Sequence, residues 1–161
     1  MIELYYPRNK AVIELDNFSE TAYCRASLMP FRVKKQILII DPEPNMQQVI
    51  QTCLEKIGGW EVFVAASDQE GLIIAQTNQL DAILSEGMMP EINVAFLLQQ
   101  LRSNPKTKKI PIVFLTADLN LTEQHRFSAL GVAGAIAKPF APLSLVPTIA
   151  AILGWSLDQP V

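Results

Sequence analysis

QILIIDPEPNMQQVIQTCLEKIGG, residues 36–59, sets the reading frame for the whole chain. Gln36–Ile40 is a short apolar run rich in β-branched residues, the mark of a strand buried on both faces. An acidic residue, Asp41, ends it, and Pro42 and Glu43 follow. The periodicity then changes from continuous to helical. Met46, Val49, Ile50, Cys53, Leu54 and Ile57 fall on one face of a helix, with Pro44 in its first turn and Gly58–Gly59 closing it. Strand followed by helix is the unit to look for elsewhere.

It recurs four more times. WEVFVAA (60–66) is a second strand, and SDQE (67–70) is a capping box that opens the next helix. AILS (82–85) is a third strand, followed by Glu86, and a loop leads to a helix through VAFLLQQLR. The turn-rich SNPKTKK (103–109) precedes IPIVFL (110–115), a fourth strand with Thr116 at its end. NLTE (120–123) caps a helix running to Gly131. AGAIA (133–137) is a short fifth strand followed by Lys138 and Pro139, and APLSLVPTIAAILG is the last helix, with Pro142 in its first turn. Five βα units with right-handed crossovers predict an α/β fold, a flavodoxin-like doubly wound parallel sheet of order 2-1-3-4-5.

Composition agrees with a folded domain. Of 161 residues, half are hydrophobic and 18% charged, enough for one full core and too apolar for a disordered chain. The net charge of −3 argues against nucleic acid as a partner, which a basic patch would be needed to hold. LSLVPTIAAILGW is too short and proline-interrupted to cross a membrane, and MIELYYPRNK lacks a secretory core, so a cytoplasmic location is expected. Cys24 and Cys53 offer neither a disulfide framework nor metal spacing. Residues 1–33 break the rhythm and read as an extension, either a small hairpin or a poorly ordered segment, ahead of a domain spanning 34–155 and a tail at 156–161. With WSLDQPV after the last helix, any further activity is expected to come from a separate partner or from the N-terminal extension.

In a doubly wound sheet, sites form at the carboxyl ends of strands beside the switch in strand order. Asp41, Glu86, Thr116 and Lys138 all stand there, so two acids, a hydroxyl and a lysine are expected in one pocket. No Gly-rich phosphate loop follows any strand, and one histidine, His125, gives no credible catalytic triad.

Through ILIIDPEP, DAILSEGMMP, LRSNPKTKKIPIVFLTA and GAIAKPF, taken in order, the chain resembles a two-component response-regulator receiver domain. The resemblance implies a phosphoacceptor aspartate after strand three, a Mg²⁺ site using acids after strand one, and a hydroxyl and a lysine that hold phosphoryl oxygens. Thr116, Lys138 and Asp41 match, Ala117 is small as in the family, and a cis peptide is implied at Lys138–Pro139. Three positions depart. The second acid is Pro42, the phosphoacceptor position is Glu86, and Ala135 stands where many receivers carry a switching aromatic.

Proline supplies no carboxylate, while Mg²⁺ demands tight octahedral oxygen geometry. Glutamate is one methylene longer than aspartate, which displaces the attacking oxygen. Mg²⁺ binding through Asp41 and Glu86 is therefore expected to be weak at most, with no cofactor and no catalysis. A Glu86–Lys138 pair is expected instead, either locking the pocket in one state or signalling nothing. The reading is an atypical receiver that signals by protein contacts independent of phosphorylation. The alternatives are a receiver still phosphorylated by a histidine kinase and a flavodoxin-like small-molecule binder. The resemblance implies a contact region at 119–153, which includes His125, Arg126 and Phe127. A kinase, an output protein or a second copy are the expected partners, not a membrane or a nucleic acid.

Overall fold

The computed structural model describes residues 34–87, 92–117 and 119–157. The expectations for residues 1–33, for Cys24 and for the end of the tail lie outside them. Five strands, β1 (Gln36–Ile40), β2 (Glu61–Ala65), β3 (Ala82–Glu86), β4 (Ile112–Thr116) and β5 (Gly134–Ala137), form one sheet. All pairs are parallel and the order is β2-β1-β3-β4-β5, as the repeated βα units require. The helices are α1 (Pro44–Lys56), α2 (Asp68–Thr77), α3 (Val94–Ser103), α4 (Leu121–Ala129) and α5 (Pro142–Leu153).

Alternation along the strands divides the core into two layers. Ile37, Ile39, Leu84, Val113 and Leu115 meet α1 and α5 on one face. Leu38, Ile40, Ile83, Ile112 and Phe114 meet the other three helices on the opposite face. The central strands β3 and β4 are buried throughout, whereas the edges β2 and β5 are partly covered. That is why the central strands read as continuous apolar runs.

Local chemistry sets the ends. Ser67, Asn93 and Asn120 each accept a hydrogen bond from a backbone N–H in the first turn of α2, α3 and α4. Glu70 reaches back one residue beyond the cap and accepts from the N–H of Ala66 rather than from that of Ser67, a variant of the expected capping box. Pro44 and Pro142 begin α1 and α5, and Gly154 ends α5 at φ 68°, in the left-handed region that glycine tolerates. SNPKTKK is more than a linker. The hydroxyl of buried Thr107 donates to the carbonyl of Leu101 at 2.7 Å, and the Arg102 guanidinium donates to the carbonyl of Lys108 at 2.7 Å.

Some boundaries differ from the sequence reading. β3 extends to Glu86, β4 covers 112–116 rather than 110–115, and β2 and β5 are shorter by their outermost residues. The apolar face of α1 is narrower than its periodicity suggests. Ile50, Cys53 and Leu54 are buried, but Val49 and Ile57 are each 45% exposed, at the margins of the stripe.

Candidate functional site

The end of β1 delivers Asp41, whose backbone N–H still donates to the carbonyl of Ala65. Its side chain is 1% exposed. Glu86 is the last residue of β3, opposite Leu115 of β4. It is 2% exposed. Thr116, fully buried, ends β4 opposite Ala137, and the N–H of Lys138 donates to the Thr116 carbonyl at 2.8 Å. Strand alternation puts Asp41, Glu86 and Lys138 on the α1/α5 side of the sheet and Thr116 on the side of Phe114.

The lysine closes the pocket. Lys138 Nζ donates to Glu86 Oε2 at 2.5 Å and to Asp41 Oδ2 at 3.0 Å. Ninety-seven residues of chain separate the outer members of this cluster. Burial by itself would lower the lysine pKa. The hydrogen bonds and negative charges of Glu86 and Asp41 outweigh it and hold the ammonium above its ordinary value. The Lys138–Pro139 peptide is cis.

Asp41 is committed on its other oxygen as well. Oδ1 accepts the N–H of Glu43 at 2.8 Å, which pins the carboxylate at the start of α1. Glu43 is the N-cap residue of α1, and its own side chain is exposed. These observations bear on the Mg²⁺ that the fold family implies. Position 42 is a proline and brings no carboxylate oxygen. Both Asp41 oxygens and one Glu86 oxygen already accept hydrogen bonds, and no group of three or more His, Cys, Asp or Glu that could hold a metal stands among the described residues. The described residues therefore offer two carboxylates there, Asp41 and Glu86, both engaged by Lys138, and lack the second acid of the pair that the family's octahedral Mg²⁺ site would use.

The model of the response regulator receiver domain family matches residues 37–150. This chain belongs to the receiver domain family. Two relatives of this receiver differ in kind. One is the probable transcriptional regulator ycf27 of Cyanophora paradoxa, 33% identical over 120 residues, which make up 74% of this chain and 48% of the relative. The other is a probable chemotaxis protein CheY of Rhizobium etli, 27% identical over 78% of this chain and 98% of that protein. The receiver thus spans about half the length of the ycf27 relatives. Among solved structures, the chemotaxis response regulator CheY4 of Vibrio cholerae superposes with a TM-score of 0.68 at 28% identity, covering 74% of this chain and 99% of that one. Receiver domains are signalling modules of two-component systems, and this one shares their fold and strand order.

Of the residues singled out in the sequence, Asp41, Glu86 and Lys138 come together directly, and Thr116 ends the strand beside them. His125 and Arg126 are exposed on α4. Phe127 is not part of that surface, since it is 2% exposed and faces the sheet. Gly87, the residue after Glu86, drew no notice in the sequence, yet Phe114 and Phe127 crowd it. A glycine straight after an acid at a strand end was the one available signal. Among the described residues, no helix is long and apolar enough to cross a membrane.

Proposed function

We propose that this receiver domain transmits its signal through protein contacts that do not depend on phosphorylation. One observation carries the reading. The Lys138 ammonium is already shared between Glu86 and Asp41, inside the cradle where a receiver's phosphoryl group and metal would meet. Phosphoryl transfer is almost wholly positioning and charge stabilisation. A longer carboxylate at position 86 spoils the first, and a proline at position 42 weakens the second. In this reading the domain turns over no substrate and uses no Mg²⁺. Glu86 supplies a permanent anion where other receivers acquire one, and the region 119–153 meets a protein partner such as a kinase or an output protein.

Acetyl phosphate with Mg²⁺, followed by intact-mass measurement, tests it. The wild-type chain should gain no stable adduct of about 80 Da, the mass of one added phosphoryl group. An adduct on Glu86 would instead favour the second reading, a receiver still open to phosphorylation, for which the retained Thr116 and Lys138 speak.

A further inference from the structure

Phe127 is the only buried residue among those of α4 whose side chains are described. Its ring meets Phe114 of β4 edge-on, with centroids 4.7 Å apart and planes at 63°. Phe114 is paired in register with Ala135 of β5, a small side chain packed against the same cluster. The third neighbour is the backbone at Gly87. A Cβ built there would lie 3.3 Å from Phe127 Cζ and 3.4 Å from Phe114 Cγ, inside the ordinary carbon–carbon contact distance of about 3.5–4.0 Å. Gly87 directly follows Glu86, and its N–H donates to the carbonyl of Leu115.

We propose that Phe127 is a positioning residue that couples the Glu86–Lys138 pocket to the outer face of α4. The backbone at Gly87 sets where the ring lies, and the ring sets where the helix lies. A packed interior passes on such a displacement because it holds no free volume to absorb it. When the pull of Lys138 on Glu86 changes, Gly87 shifts against the ring, and the exposed side of α4 carrying His125 and Arg126 moves with it. With Ala135 on β5, the aromatic that reports the pocket comes from α4 itself. This rests on the reading that α4 belongs to the contact surface, but its test needs neither phosphate nor partner.

Hydrogen exchange of the full chain, read by mass spectrometry on peptides covering 119–131, provides that test. Gly87→Ala should speed exchange in α4 by about tenfold, because a helix held by few buried contacts opens locally, and leave β1 and β3 unchanged. Adding Phe127→Leu, which removes the far end of the ring, should return the rate to within about threefold of the Phe127→Leu single variant. A second pair keeps the test sharp should Gly87→Ala fold poorly. Glu86→Gln should alter α4 exchange in the wild-type background and leave it unaltered in Phe127→Leu. Equal responses to Glu86→Gln in both backgrounds would overturn the coupling, as would normal α4 exchange in a folded Gly87→Ala.

Discussion

Lys138 Nζ lies 2.5 Å from Glu86 Oε2, joining two residues that are 52 apart in sequence and both screened from solvent. The same ammonium reaches Asp41 Oδ2 at 3.0 Å. Two buried acids therefore depend on one base, and the cluster is asymmetric. Losing an acid leaves a matched pair, whereas losing the lysine leaves two acids facing each other with no cation.

The asymmetry orders the stabilities of single variants. Lys138→Met should destabilise the domain by about 3–5 kcal/mol, the cost of stranding buried charged groups. Glu86→Gln should cost clearly less, because Asp41 still holds the ammonium and the amide still fills the space. Urea unfolding monitored by circular dichroism would measure both. A Glu86→Gln variant less stable than Lys138→Met would contradict this account of the pocket.

The pH dependence follows from the raised lysine pKa. The folded-state value lies above the ordinary 10.5. The ammonium's contribution to stability is therefore complete below 10.5 and is lost as pH climbs through the folded-state value. Once both acids of Lys138→Met have ionised, the stability gap between wild type and that variant should stay constant up to about pH 10 and narrow only beyond it. Unfolding midpoints measured across that range would reveal an earlier narrowing, which would mean that the ion cluster does not hold its proton as described.

Gly71 sets two effects against each other. It lies inside α2, where alanine would ordinarily gain roughly 0.5–1 kcal/mol over glycine. A Cβ there would meet Ile40 Cδ1 at 2.5 Å and Cγ1 at 2.9 Å, and Ile40 is fully buried. Overpacking of a tight core costs about 1–3 kcal/mol, so the steric term wins. Gly71→Ala should lower stability by about 1–2 kcal/mol on balance. A thermal melt showing stabilisation would mean that the α2–β1 contact is looser than the structure has it.

At the opposite end of the sheet, Trp60 and Trp155 meet edge-on with centroids 5.4 Å apart, and Lys35 Nζ lies 4.6 Å from the centre of the Trp155 ring. This contact ties the segment just after α5 to the residue before β2. A double-mutant cycle with Trp60→Leu and Trp155→Leu should return a coupling of about 0.5–1.5 kcal/mol. Strict additivity would remove the contact from the list of what holds α5 in place.

The receiver architecture was open to sequence reasoning because its signals are local. Asn120 before Leu-Thr-Glu, Ser67 before Asp-Gln-Glu and proline in the first turns of α1 and α5 each act within a few residues of themselves, and each stands where it was expected. Strand burial could be read for the same reason, since a strand covered on both faces must be apolar at every position. Errors gathered where the deciding partner is distant. Val49 and Ile57 fit the period of α1 and yet are half-exposed, because the width of the stripe that α5 and the sheet cover depends on packing. Phe127 adjoins exposed His125 and Arg126 in sequence, yet a helix turns about 100° per residue and carries it inward.

By itself the sequence determined five βα units, their order in the sheet, and the arrival of Asp41, Glu86, Thr116 and Lys138 at one edge, since hydrophobic period and right-handed crossover leave little else. Only the tertiary structure decided that one ammonium would serve two acids, that Asp41 would spend its second oxygen on the Glu43 N–H, and that the backbone after Glu86 would abut the Phe127 ring. Those outcomes depend on distances of a few ångströms between residues tens of positions apart, and no local pattern along the chain encodes them.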